Sequence, residues 1–581
     1  MPETEPPDKG QQRRRALRAA RRRWPWVVAV VVLVVVGLGS WLGARVLTVK
    51  SELEGAQVAV AALQGGGDTA QAVHSMATHA DAAVSAAHDP VWAVFEAVPA
   101  LGDNLRAVRL ASESLEALSA GLAEPVLKAF GTAGEGPALK RLVPIMQSAA
   151  PRVAELTASV AEVEKSTSLV PQVRAGLDQV SAVLSAASPT LQVLPGMLGA
   201  DTPKHYLLIA QNNAESVGLG GSAASQSLIR ADKGAIKITN QADSGDYIGN
   251  TPVEVPIDQS ALDLYHDVLL RRINASVSRP DFPTAAKVVT ALWQRDIHDD
   301  QIDGVVSIDP MALSRVLSAT GPITVTSGDI ASSDNIVRLL LSEAYARSAD
   351  PAKSDDFFKE VATSVFNKVA KGQFDPKKMF SAIQSGISGG SILFWSADPV
   401  VQKLIAPSRV GGILPVDNRE HTVLGVYFRD ASLGSKIDYY MKSNVAAAAT
   451  CSTAAISEFT VTSTLRLDIT QGAADALPAY VKSGVWGSTK FSTEIFVYGP
   501  PGTTVSDVKL GPSTAKLRKS NIIDLGRPVA SFAVFQRPGQ SVTVTVRFTG
   551  TADTYGPLEV RTTPMVHATK VDLGDQRCPA K

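Results

Sequence analysis

Gln211, Asn212, Asn213 and Glu215 follow the apolar run HYLLIAQ (205–211) and precede a glycine-rich stretch containing Gly218, Gly220 and Gly221. Asn and Gln amides both donate and accept, which suits them to sugar hydroxyls. The C-terminal end of a strand beside such a stretch is where open α/β sheets take ligands. The same residue types have a plainer use, since asparagines cap strand ends and satisfy loop backbone groups. The sequence leaves both readings open. Asp243 and Asp246, in NQADSGD (240–246), could add a cation, although two acids in a polar loop are as readily just solvated. The candidate ligand-binding set is therefore Gln211, Asn212, Asn213, Glu215, Gly220, Gly221, Asp243 and Asp246. It assigns no catalytic residue, and cofactors stay unknown.

Other chemical-looking patterns fail on their context. GISGG (386–390) fits G-x-S-x-G, but that elbow needs a strand before it and a helix after, and here the order is reversed. Asp296, His298, Asp299, Asp300 and Asp303 lie in a charged connection between a helix and a strand and read as an exposed loop. His74 and His79 are five apart on a helix, off the spacing a shared metal prefers. No P-loop, H-E-x-x-H or paired C-x-x-C occurs, so no metal is assigned. Cys451 and Cys578 are the two cysteines, and in an oxidising compartment they are expected to form one disulfide.

The elements that must position these residues can be read from periodicity. Around the candidate set the sequence writes a strand (205–211), a loop, a strand (225–229), a tight turn at Asp232-Lys233-Gly234 and a third strand (235–239). Further strand-like runs at 305–308, 323–325, 392–395 and 422–428 alternate with helical stretches at 284–295, 310–319, 333–347, 355–370 and 376–384. Such alternation predicts an α/β domain over 200–440. Beyond it, runs that alternate polar and apolar residues between Gly, Pro and Asp turns predict a C-terminal all-β sandwich over 441–581. Residues 45–199 are Ala-, Val- and Leu-rich with helical spacing, broken at Pro90, Pro99, Pro125, Pro151, Pro171 and Pro189. They predict a helical stalk or bundle. The fold class is thus multidomain α+β.

The 56 basic and 56 acidic side chains cancel, which argues against a chain-wide nucleic-acid binder. Seven arginines crowd the first 23 residues, and the uncharged segment 24–44 (WPWVVAVVVLVVVGLGSWLGA) follows them directly. Its length, about 31 Å as a helix, is enough to cross a bilayer. Trp24, Trp26 and Trp41 sit near its ends, where interfacial tryptophans belong. A single-pass anchor is expected, in contact with membrane lipid through 24–44. The arginines place the basic tail 1–23 in the cytoplasm and the rest outside the cell membrane.

The run YLLIAQNNAE…GG resembles the signature of the bacterial domain-of-unknown-function 4012 family. DPVWAVFEAVPALGDN (89–104), DFPTAAKVVTALW (281–293), DGVVSIDPMAL (303–313) and TGPITV (320–325) extend that resemblance. The order of elements is also similar to that of LytR-CpsA-Psr phosphotransferases, exported enzymes that move glycopolymers from a polyprenyl-pyrophosphate carrier to the cell wall. That resemblance implies an acid after the glycines and an arginine-aspartate step after the third strand. Here the first position reads Gly221-Ser222-Ala223-Ala224, and the segment 240–246 has acids but no arginine. Whether the chain is an enzyme is left open. The leading expectation is a non-catalytic extracytoplasmic factor in surface glycopolymer assembly or display, with glycan, polyprenyl-linked glycan or envelope proteins as partners. The alternatives are a divergent phosphotransferase drawing its acids from Asp243, Asp246 or Asp309, and a purely structural envelope scaffold.

Overall fold

The computed structural model describes residues 9–64, 68–99, 101–131, 137–326, 328–347, 351–432, 434–451, 456–511, 514–551 and 555–576. The basic tail's side chains and Cys578 lie outside the described residues, and the expected Cys451–Cys578 pairing lies there with them. The chain divides into two compact units: Met1–Gly134 with Arg141–Gly196, and Glu135–Lys140 with Met197–Lys581.

The first unit is helical. Its opening helix, Lys9–Gln64, carries a stretch, Val32–Ala62, long and apolar enough to cross a membrane. Leu42 and Val49 of this helix are buried with Ala83, Ala86, Ala87, Trp92 and Leu105. Asp68 starts the next helix, Thr69–Ala87, by accepting hydrogen bonds from the Ala70 and Gln71 N–H groups. Small residues allow close approach: a Cβ on Gly55 would lie 2.7 Å from the His79 ring. Glu113 is 4% exposed and pairs with Arg109, Arg152 and His88, and so ties three segments together. Pro90 and Pro171 open helices as expected, whereas Pro151 and Pro189 lie inside Ala138–Val163 and Pro171–Met197. A proline costs a helix one hydrogen bond and some straightness, a loss these long packed helices absorb.

The second unit holds the sheets. Its strands, in chain order, are β1 (Lys204–Val217), β2 (Gly220–Asp232), β3 (Ala235–Asp243), β4 (Gly304–Ile308), the short pair β5 (Ile323–Thr324) and β6 (Ile330–Ala331), β7 (Ile392–Ser396) and β8 (Thr422–Asp430). There follow β9 (Met441–Cys451), β10 (Ile456–Leu467), β11 (Phe491–Tyr498), β12 (Thr503–Leu510), β13 (Ala515–Asp524), β14 (Arg527–Gln536), β15 (Ser541–Thr551), β16 (Leu558–Thr562) and β17 (Lys570–Gln576). A ten-stranded sheet runs β13-β14-β11-β8-β1-β2-β3, with β16 beside β8 and with β4 between β1 and β7. A five-stranded sheet runs β12-β15-β10-β9-β17. The inner faces of the two sheets, among them Phe428, Ile495 and Phe532 on one and Val445, Val461 and Val546 on the other, share one core. The C-terminal sandwich is thus built partly from the same sheet that carries β1.

β1 is central, and its alternation sets the layers. Leu207 and Ile209 face a core with Phe282, Val289 and Trp293 from the helix Phe282–Asp296. Leu208 and Ala210 point to the opposite face, toward the helices Pro310–Thr320, Pro351–Ala370 and Pro376–Ser388. The expected strand end at Asn212 is corrected. β1 runs on through Val217, and β2 begins at Gly220, so the glycine-rich stretch is mostly strand. Register shifts between Ala210 and Gln211, and between Asn212 and Ser216, mark bulges that carry the polar residues inside the ladder.

Candidate functional site

The β1–β2 hairpin owes its closeness to its glycines. A Cβ on Gly221 would sit 2.1 Å from the Asn212 carbonyl carbon, and one on Gly220 2.0 Å from Gln211 Oε1. No larger residue could stand at Gly221 without moving the partner strand, and one at Gly220 would have to displace the Gln211 side chain and hold a positive φ. The polar residues of β1 are then held by partners from distant parts of the chain. Asn212 Nδ2 donates to the Tyr345 hydroxyl (2.6 Å), and Asn212 Oδ1 accepts from the Ala214 N–H (3.1 Å). Asn213 is fully buried and donates to the Pro564 carbonyl (2.8 Å). Glu215 pairs with Lys436, whose Nζ lies 5.2 Å from the Tyr345 ring centroid. The Ser216 N–H donates to Asp438 Oδ2 (3.0 Å).

Two cavities meet at this point. The first, of about 310 Å³, lies between the sheet and the helices over it and is almost wholly apolar. Leu208, Ala210, Val306 and Ile308 form its floor, and Leu341, Val361, Val365, Val369 and Ile383 are among its walls. The second, of about 480 Å³, is polar and is lined by Glu215, Ser222, Arg272, Arg429, Asp430 and Lys436 among others. Asn212, Ala224, Tyr345 and Phe358 line both. Gln211 Nε2 and Ser222 Oγ are buried without a hydrogen-bond partner among the described residues, and they stand on the apolar and polar sides of this junction.

The charges around the polar cavity are unequal in kind. Arg272 is exposed and has no ion-pair partner among the described residues. Arg429 is committed to Glu494 (2.8 Å from Nε), and Lys436 to Glu215. Burial, together with the neighbouring Asp438 carboxyl, pushes the Asp430 carboxyl well above the ordinary carboxylate range. Burial raises Asp438 as well. Asp309 lines the apolar cavity and caps the helix Pro310–Thr320 by accepting from the Ala312 N–H (2.8 Å). Burial pushes its carboxyl up to about 6.

Among the sequence candidates the structure therefore brings Gln211, Asn212 and Glu215 to the cavity walls, while Gly220 and Gly221 pack against Gln211 and Asn212 and, like Asn213, line neither cavity. Asp243 and Asp246 are placed otherwise. They form a reciprocal cap on the 3₁₀ turn Ser244–Asp246, and Asp243 also accepts from Lys359 Nζ (2.9 Å). Among the described residues, no three His, Cys, Asp or Glu side chains converge to hold a metal ion. In the charged connection, Asp300 accepts from Trp293 Nε1 (3.0 Å), and Asp303 binds Lys204 and the His205 N–H. Gly386 and Ser388 of the GISGG segment end the helix Pro376–Ser388, with β7 following, so no nucleophile elbow forms. Tyr345, Arg272, Asp430 and Lys436 carry no signal in the sequence, where they stand among ordinary helix and loop residues.

A solved structure of the Lin1025 protein from Listeria innocua is similar to part of this chain. The identity is 16%, the match covers 37% of this chain and 80% of that one, and the TM-score is 0.22, too low to carry an argument. No curated protein matches the chain. A family model described as "Protein of unknown function (DUF4012)" matches residues 201–345, from the start of β1 to Tyr345 at the cavity junction. The segment 89–104 that the sequence resemblance took in falls outside this match. The similarity to the DUF4012 family thus covers residues 201–345 of the chain.

Proposed function

We propose that this chain is a membrane-anchored, extracytoplasmic, non-catalytic factor in surface glycopolymer assembly or display, and that it holds an amphiphilic carrier such as a polyprenyl-linked glycan. One observation carries the reading: an apolar cavity and a polar cavity share the wall formed by Asn212, Ala224, Tyr345 and Phe358. An apolar chain would gain from burial against Leu208, Val306, Val361 and Val365, at roughly 25 cal/mol per Å² removed from water. A headgroup at the junction would find unpaired donors in Gln211 Nε2, Ser222 Oγ and the Arg272 guanidinium. Sugar hydroxyls and a phosphate both accept from such groups. The apolar stretch of the first helix supports the anchor, and the arginines before it support an outward-facing bulk.

The layout also resembles that of LytR-CpsA-Psr phosphotransferases. The transferase alternative was expected to draw its acids from Asp243, Asp246 or Asp309, but the first two cap a turn and the third lines the apolar cavity, so in the polar cavity it would have to draw on Glu215 and Asp430 beside Arg429 and Lys436. One experiment separates the readings. Purified full-length protein in detergent is mixed with a polyprenyl-pyrophosphate-linked oligosaccharide and magnesium, and both retention and cleavage of the lipid link are followed. Retention without cleavage is the expected result. Val361→Trp, which fills the apolar cavity, should weaken retention at least about tenfold while leaving the far-UV circular dichroism unchanged. Cleavage would replace this reading with the transferase. Absence of both would leave the scaffold.

A further inference from the structure

A third cavity, of about 30 Å³, lies elsewhere in the second unit, lined by Arg409, Tyr427, Arg561, Thr562, Gly390 and Gly412 among others. Its charges do not balance. Arg409 Nη1 (3.2 Å) and Arg561 Nε (2.8 Å) share one oxygen, Oε1 of Glu559. Both also donate to main-chain carbonyls, Arg409 Nη2 to Ser388 and Arg561 Nη1 to Ile413. Arg527 does not line the cavity but adds a third guanidinium near Tyr427. It is 0% exposed and donates to the carbonyls of Val423 (2.7 Å), Gly499 (3.0 Å) and Pro415 (2.5 Å), with no carboxylate partner among the described residues. All three guanidiniums act on the Tyr427 hydroxyl. Among the described residues one carboxylate, Glu559, is thus shared by two partly buried cations, with a third, fully buried guanidinium close by, and an uncompensated charge in such surroundings is costly.

Tyr427 lines the same cavity. Its ring packs edge-on against Tyr498, the residue is 5% exposed, and its hydroxyl has no hydrogen-bond partner among the described residues. Gly390 and Gly412 both adopt positive φ (75° and 63°). A Cβ on Gly412 would lie 2.6 Å from Phe282 Cβ, so this position has no room for a side chain, whereas at Gly390 it is the backbone conformation alone that favours glycine. A cavity of 30 Å³ has room for a small ion or about two waters.

We propose that this cavity binds a compact monoanion, of halide or carboxylate size, between the Arg409 and Arg561 guanidiniums and the Tyr427 hydroxyl. The site is separate from the amphiphile-binding reading and stands or falls without it. The ion would supply the missing negative charge and accept from the phenol, and so act as a structural counterion where β8, β16 and the segment around Arg409 meet.

The test uses the full-length protein in detergent at fixed pH and ionic strength, with sodium gluconate exchanged stepwise for chloride or for formate. A saturable rise in melting temperature is expected in chloride, formate or both, with ³⁵Cl line broadening where chloride is the ion bound. Tyr427→Phe keeps the ring and its contact with Tyr498 and should weaken the response about tenfold. Arg561→Gln should abolish it. If the melting temperature is the same in gluconate, chloride and formate, the proposal is wrong. It is equally wrong if Tyr427→Phe responds like the wild type.

Discussion

At Asp309 one carboxylate serves as both a helix cap and a wall of an apolar cavity. Capping favours the charged form, because the Ala312 N–H donates to Oδ1, while burial favours the neutral form and dominates. With the folded value raised from 3.8 to about 6, the native state holds a proton that the unfolded chain has already released between those values. The group's stabilisation is therefore full below about pH 4 and is lost as pH rises through about 6. Asp309→Asn keeps the capping oxygen and never ionises. Its melting temperature relative to wild type should be higher at pH 8 than at pH 4, by a few degrees. Melts of both proteins at the two pH values check this. A difference of the opposite sign would mean that the cap outweighs the burial. The sequence was half legible here: the helical stretch 310–319 was read, but the capping role of Asp309 was not, and its place in a cavity wall depends on β1 and β4, which only the fold brings beneath it.

The β1–β2 hairpin depends on distant partners in the same way. The apolar run HYLLIAQ announced a strand, and the amides after it looked like a strand end because free strands do not continue through Asn-Asn-Ala-Glu-Ser. They continue here because each polar group finds a distant partner: Tyr345 for Asn212, Pro564 for Asn213, Lys436 for Glu215 and Asp438 for Ser216. Those partners are separated from β1 by more than a hundred residues, and no local pattern records them. The glycines were legible as special but not for the right reason. Gly221 serves close contact with Asn212 rather than a flexible loop. Gly221→Ala would drive a methyl against fixed backbone and should cost about 3 kcal/mol or more, seen as a large fall in melting temperature. Gly472→Ala is the control, since nothing lies within 4 Å of a Cβ there and the residue sits in the helix Gln471–Ala476. That change should leave the melting temperature unchanged or slightly higher.

If the apolar stretch of the first helix crosses a membrane, the decisive quantity is which side holds the second unit's two cavities. Composition makes the apolar stretch plain, whereas the shared sheet was hidden because β8 pairs with β16, more than a hundred residues later, across the point where helical patterning fades. Orientation rests on charge. Arg13, Arg14, Arg15, Arg18, Arg21, Arg22 and Arg23 all precede the apolar segment, and retention of such a cluster in the cytoplasm would put the cavities outside, as the proposed function requires. Protease added to intact spheroplasts should therefore digest the chain beyond Ala62 and spare an N-terminal tag. Replacing the seven arginines with glutamine removes the bias, so a fraction of molecules should insert the other way, with the bulk protected and the tag cut. If the unaltered chain already shields its bulk from external protease, the proposed extracytoplasmic role fails, whatever the cavities bind in detergent.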